Sequence, residues 1–266
     1  MSQDRFPARL PATLTLLIVI CTPLFAQPEE TIPNDPMLQE YQNITTTLLA
    51  QDVKQTYGGD AWSDSLSFAF DFVVYDKDHR EIARYHNEWN RLTDEALLSG
   101  KLRDGRSYRV EFSDLSQCQG KMFLDSQEVA PAVQKSALPT YYDRLVSNFR
   151  WLLTPLRLFD PDVTLQGRND SIVDAKPSKL MSVVFSDTLA PSACDILLFI
   201  NNDHKLIERW RMNYDGVYRQ YRWQLTQRVG PFIFPTRLLD ETLKTYIQFE
   251  QVQVIRIEKE GNEKKM

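Results

Sequence analysis

Leu66-Ser67-Phe68-Ala69-Phe70-Asp71-Phe72 decides the fold. Bulky apolar residues stand at every second position, the period of a strand that buries one face. Downstream, Asp76-Lys77-Asp78 marks a turn, and Ala83, Tyr85 and Trp89 continue on a second strand. Asp104-Gly105 signals a hairpin, followed by Tyr108, Val110 and Phe112 on alternate positions and by a fourth run, Gly120 to Leu124. Short links with no helix between them predict an antiparallel meander rather than βαβ units. The second half returns to strands at 163–167, 180–185, 196–200, 206–214, 217–225 and 245–257, about ten in all.

Two helices interrupt this pattern. Upstream, Asp35-Pro36 supplies an N-cap with proline at the first helical position. Met37, Leu38, Tyr41, Ile44, Leu48 and Leu49 then recur at helical spacing until Gly58-Gly59 stops the helix. This predicts an amphipathic helix of about twenty residues whose apolar stripe lies on the domain. Tyr142, Leu145, Val146, Phe149, Leu152 and Leu153 predict a second helix, capped at Thr140 and ended by Pro155. The expected architecture is mainly β (α+β): a strongly curved antiparallel sheet, or incomplete β-barrel, with helices covering its concave face. A closed barrel is the structural alternative.

Residues 1–26 are set apart from this domain. Arg5 and Arg9 precede the apolar run Ala12 to Cys21, Pro23 breaks it, and Leu24-Phe25-Ala26 ends in a small residue. That is the order of a cleaved export signal, and the run is too short for a membrane span. Lipidation at Cys21 is disfavoured by Ile20, where a small residue is required. The expected boundaries are a signal at 1–26, a flexible Pro/Glu-rich lead-in at 27–34, one domain at 35–258 and a charged, frayed tail at 259–266.

Without residues 1–26 the chain has 240 residues, and its net charge moves from −5 to −6 as two arginines and one aspartate leave. This acidity argues against nucleic acid as a partner, since affinity there comes from Lys and Arg on phosphates. Two cysteines remain, Cys118 and Cys194. In an oxidising compartment they form either one bridge or two unpaired thiols.

No catalytic motif stands out. His79 and His204 fall in polar turns, while His86 lies mid-strand beside Glu88. No metal-ligand spacing, nucleophile elbow or phosphate loop is present, so no metal and no cofactor is expected. The aromatic inventory remains. Phe68, Phe70, Phe72, Trp89, Trp151, Trp210 and Trp223 are read either as core or as the wall of an apolar cavity under the curved sheet. Arg209, Arg211, Arg219 and Arg222 are expected on the opposite face, in solvent.

Three stretches resemble exported bacterial proteins of the LolA-like superfamily, the periplasmic lipoprotein-carrier-like group. They are Tyr57-Gly58-Gly59-Asp60-Ala61-Trp62 after the first helix, Arg84-Tyr85-His86-Asn87-Glu88-Trp89, and Trp151 to Val163. The likeness spans roughly residues 38–240. It implies an unclosed barrel with helices as a lid over an apolar cavity. It also implies non-catalytic binding of an acyl chain, a lipoprotein or another hydrophobic ligand, outside the cytoplasm and as a monomer. No carrier arginine is transferred by it. The alternatives are an envelope hydrolase centred on His86, Glu88 and Asp71, or a partner-binding envelope module using apolar residues near Leu156–Phe159.

Overall fold

The computed structural model describes residues 36–186, 195–214, 217–257 and 263–265. Residues 1–35, on which the expected export signal and lead-in fall, lie outside the described residues, as does Cys194. Helix α1 (Pro36–Thr56) opens the described chain and a short 3-10 turn, Gly59–Ala61, follows it. Gly58 makes the corner at φ 97°, where a Cβ would lie 2.6 Å from the Pro231 carbonyl oxygen.

A first meander then runs through β1 (Ser65–Tyr75), β2 (Glu81–Asn90), β3 (Glu95–Lys101), β4 (Ser107–Asp114), β5 (Gln119–Leu124) and β6 (Gln127–Glu128). Helix α2 (Pro131–Leu153) crosses to a second meander. Its strands are β7 (Val163–Val173), β8 (Lys176–Phe185), β9 (Asp195–Asn201), β10 (Ile207–Tyr214), β11 (Val217–Val229), β12 (Phe232–Asp240) and β13 (Tyr246–Ile257). The first and last long strands, β1 and β13, pair antiparallel and join the two meanders into one sheet. Its edges are β6 and β7, which do not pair with each other, so the sheet is curved and unclosed rather than a closed barrel. α2 connects those two edges.

Register sorts the side chains onto two faces. Phe68, Phe70 and Phe72 face inward with Trp89 and Tyr85 of β2, then with Ala96, Leu98, Val110 and Phe112 on β3 and β4. Met181, Val183, Leu198, Trp210 and Met212 continue that face through the second meander. These residues form one core under α2, which contributes Leu145, Phe149, Trp151, Leu152 and Leu153.

Several expectations need correction. α2 starts at Pro131, not at Thr140, which lies exposed within it. Pro131 fits the first turn, where its missing N–H costs nothing. Pro139 is tolerated inside the helix because it and Lys135, whose carbonyl loses its helical partner, face water. Strands β3 and β12 escaped the alternation count. β3 carries the helix-favouring Ala96-Leu97-Leu98, and β12 contains Pro235 beside a register shift in β11. Part of the tail, β14 (Glu263–Lys265), pairs with β13 instead of fraying.

The stripe of α1 also turns the other way. Met37, Leu38, Tyr41, Ile44 and Leu48 are exposed, and the helix buries Thr46, Ala50 and Val53 instead. Small residues are needed there because α1 lies close on β7: a Cβ on Gly167 would fall 2.3 Å from Thr46 Oγ1.

Candidate functional site

Alternation along β1, β2, β10 and β11 and the apolar face of α2 bring all seven sequence-selected aromatics into one core. They form two groups. In the first meander, Phe70 meets Phe149 of α2 at 5.0 Å between centroids and 90°, and Trp89 meets the same ring at 5.5 Å. Phe72 packs on Phe249, and Phe68 on Trp62 and Phe232. In the second meander, Trp151 of α2 meets Trp210 at 4.7 Å and Tyr221 at 4.6 Å. Trp210 meets Trp223 at 5.3 Å and 90°, and Trp223 in turn meets Tyr57. Such edge-to-face pairs are favoured by the ring quadrupoles. α2 therefore stands on both groups at once, through Phe149 and Trp151.

Polar groups are built into this apolar layer. Asn148 of α2 donates to Asn87 Oδ1 at 2.8 Å, and Asn87 donates to the Tyr85 carbonyl at 2.8 Å. The indole N–H groups of Trp210 and Trp223 are buried with no acceptor among the described residues. Arg150 is 2 % exposed and holds its guanidinium over the Phe185 ring at 5.2 Å. At the edge of this layer, Arg144 donates to the Tyr85 hydroxyl at 2.9 Å, and Tyr108 meets Tyr141 in a tilted pair at 4.9 Å. Burial raises the Tyr108 pKa, so its phenol stays protonated.

Sequence reasoning missed Asn87, Asn148 and Arg150. A signal for each was present. Asn87 stands at an inward position between Tyr85 and Trp89, and Asn148 and Arg150 flank Phe149 on the apolar side of α2.

The outer face carries charge. Asp71, His86 and Glu88 are brought together there: His86 Nδ1 lies 2.7 Å from Asp71 Oδ1 and Nε2 lies 2.8 Å from Glu88 Oε1. Burial opposes the charge on His86, but the hydrogen bonds to Glu88 and Asp71 and their negative charges outweigh it, and the pKa is raised. Arg84 adds bonds to Asp71, Glu250 and Glu81 at 2.8–2.9 Å. An imidazole clasped on both nitrogens by carboxylates holds its proton as a donor and has no free lone pair to take one from a substrate. Asp71 and His86 also line an outer-face groove of ≈ 960 Å³ with Ser99, Arg109 and Phe123.

Further along that face the arginines are not simply solvated. Arg209 chelates Asp174 with both distances at 2.7 Å, and Arg222 bonds Glu241 at 2.8 Å and Asp174 at 3.1 Å. The apolar segment near Leu156–Phe159 is likewise not an exposed patch: Leu156 and Leu158 are each 1 % exposed, and Phe159 alone reaches solvent. Cys118 sits in the β4–β5 turn at φ 52°, and its pairing with Cys194 falls outside the described residues. Among the described residues, no group of three or more His, Cys, Asp or Glu is placed to hold a metal ion. No described helix is long and apolar enough to cross a membrane.

An unclosed antiparallel sheet, its two edges joined by a helix lying on the inner face, is the arrangement that the resemblance implied. The fold is a curved, unclosed antiparallel sheet with two helices. Among solved structures, a LolA superfamily protein from Nitrosomonas europaea is similar at 11 % identity and a TM-score of 0.48, over 78 % of this chain and 92 % of that one. An outer membrane lipoprotein-sorting protein domain from Vibrio parahaemolyticus is similar at 10 % identity and a TM-score of 0.47, over 79 % and 92 %. A DUF1329 family protein from Desulfovibrio piger is similar at 9 % identity and a TM-score of 0.46, over 78 % and 92 %. No protein-family model and no curated protein matches the sequence.

Proposed function

We propose that this chain binds an acyl lipid or the acylated end of a lipoprotein on the inner face of its sheet, beneath α2, and does no chemistry on it. The observation that carries this reading is the pair of buried indole N–H groups on Trp210 and Trp223, which find no acceptor among the described residues. A buried donor left unpaired costs about 1–3 kcal/mol, and native proteins rarely keep one without a reason. An ester or carboxyl oxygen at the head of an acyl chain would accept from them. The chain itself would lie along Phe68, Phe70, Phe72, Trp89 and Trp151.

Entry requires α2 to lift, because its side chains now fill that surface. Uncovering α2 side chains such as Leu145, Phe149 and Leu152 costs roughly 1.5–3 kcal/mol each, and burying an acyl chain offsets this by about 0.8 kcal/mol per CH₂. With the export signal read at residues 1–26, such binding would take place outside the cytoplasm.

The test is native mass spectrometry of the protein purified from the cell envelope of its host without detergent exchange. An added mass that solvent extraction identifies as an acyl ester or fatty acid is expected. A chain that carries no lipid and takes up none when offered would refute the reading.

A further inference from the structure

One cross-strand row on the inner face runs through Leu198, Trp210, Tyr221 and Asp240, on β9 to β12. It is apolar until it ends on a carboxylate. Asp240 is 2 % exposed and Tyr221 beside it 6 %. Asp240 Oδ1 accepts from the backbone N–H groups of Thr242 and Leu243 at 2.8 and 2.9 Å, which holds the turn after β12. Its Oδ2 is buried and makes no hydrogen bond among the described residues. The neighbouring Tyr221 hydroxyl is acted on in opposite directions by Asp240 and Arg219, without hydrogen-bond geometry to Oδ2. An ionised carboxylate oxygen can only accept, and leaving one buried and unpaired is costly.

Aromatic rings surround the same place. Trp151 of α2 meets Tyr221 at 4.6 Å and 81°, and Trp210 at 4.7 Å and 72°. α2 covers the row through this one side chain. When α2 lifts, the rings of Tyr221 and Trp210 come free beside Asp240. Exposed ring faces next to a carboxylate attract a cation. That cation must also carry an N–H, because Oδ2 requires a donor and a charge-assisted bond is the strongest it can receive. Two residues before Tyr221 on β11, with the same side-chain parity, Arg219 is exposed near the strand end. It lies about 7 Å along the strand from Tyr221, placed to meet an anion bonded close to the cation.

We propose that the ligand of the inner face is an aminophospholipid with a primary ammonium head, of the phosphatidylethanolamine type. This assignment rests on the reading that an acyl lipid binds beneath α2. The acyl ester oxygen accepts from the indole N–H groups of Trp210 and Trp223. The ammonium donates to Asp240 Oδ2 and lies against the Tyr221 ring, and the phosphate meets Arg219. Asp240 stands two strands from Trp210, about 10 Å, a span that a glycerophosphoethanolamine covers. A choline head keeps the positive charge but has no N–H to give. A glycerol head has no cation at all. With either one the buried oxygen stays unpaired, and that penalty is the basis of discrimination.

The test titrates the delipidated protein with single-chain probes of equal acyl length: lysophosphatidylethanolamine, lysophosphatidylcholine, lysophosphatidylglycerol and a monoacylglycerol. The ethanolamine lipid should bind about tenfold tighter than each of the others. In Asp240→Asn, which keeps an amide oxygen for the turn, that preference should disappear. Arg219→Gln, at an exposed position, serves if the first variant does not fold. It should weaken the ethanolamine lipid severalfold more than the monoacylglycerol, which has neither phosphate nor amine. Equal binding of all the probes by the wild type would overturn the head-group assignment and leave lipid binding beneath α2 standing. A preference that survives Asp240→Asn, or an Arg219→Gln variant that weakens both lipids alike, would do the same. A protein that binds none of the probes would overturn the assignment together with the reading it rests on.

Discussion

Asn148 of α2 donates to Asn87 of β2 at 2.8 Å inside an otherwise apolar layer. This buried amide pair ties the crossing helix to the sheet and defines its seated position. Asn148→Ala would leave the Asn87 oxygen buried and unpaired, at a cost of about 1–3 kcal/mol. Hydrogen exchange should show α2 amides opening more often, and lipid uptake should become faster. The Asn87→Leu/Asn148→Leu pair, apolar on both sides, should restore much of the stability and slow uptake. Urea denaturation of the three variants checks the order.

Trp210 separates stability from binding. Trp210→Phe removes an N–H that has no acceptor among the described residues, together with some packing against Trp151 and Trp223. The two changes oppose each other, so the variant should lose less stability than the 3–5 kcal/mol typical of truncating a buried aromatic to Ala. Its affinity for an acyl ester should fall about tenfold, equivalent to about 1.4 kcal/mol. Equilibrium titration alongside thermal melting distinguishes the two effects.

The close seat of α1 predicts a compensating pair. Gly167→Ala would place a methyl against Thr46 Oγ1 and should destabilise the domain by roughly 1–3 kcal/mol, the usual cost of overpacking. Thr46→Ala should recover most of that loss when combined with it. Additive losses in a double-mutant cycle would mean that the helix does not rest there.

His86 gives the domain a pH-dependent increment. Its pKa is raised above the ordinary 6.5 by Glu88 and Asp71, against the effect of burial. A raised folded-state pKa stabilises fully below the unfolded value and loses that contribution as pH rises through the folded value. The stability difference between wild type and His86→Gln should therefore be largest below about pH 6 and shrink as the solution becomes alkaline. Denaturation midpoints measured from pH 5 to pH 9 follow it.

Much of the fold was legible because strand period is a strong signal. The alternation at Phe68, Phe70 and Phe72 identified both the sheet and its inner face, and the absence of helices between strands gave the meander. What failed was the reading of elements whose local preference opposes their place in the fold. Ala96-Leu97-Leu98 favours helix, and pairing with β2 and β4 overrides it. On α1, hydrophobicity predicts burial of the large residues, yet close approach to Gly167 admits only small ones. Asp71, His86 and Glu88 were recognised as a group from sequence, but two carboxylates on one imidazole became visible only through register. Asn148 and Arg150 were hidden by the apolar residues around them.

Fluorescence quenching by a brominated fatty acid tests the central claim most directly, because bromine quenches tryptophan only on close contact. Delipidated wild-type protein should show saturable quenching at a one-to-one ratio, with a large share lost in Trp151→Phe and Trp210→Phe. No quenching by a protein that remains folded would contradict lipid binding at the inner face. Quenching undiminished in both variants would contradict its location beneath α2.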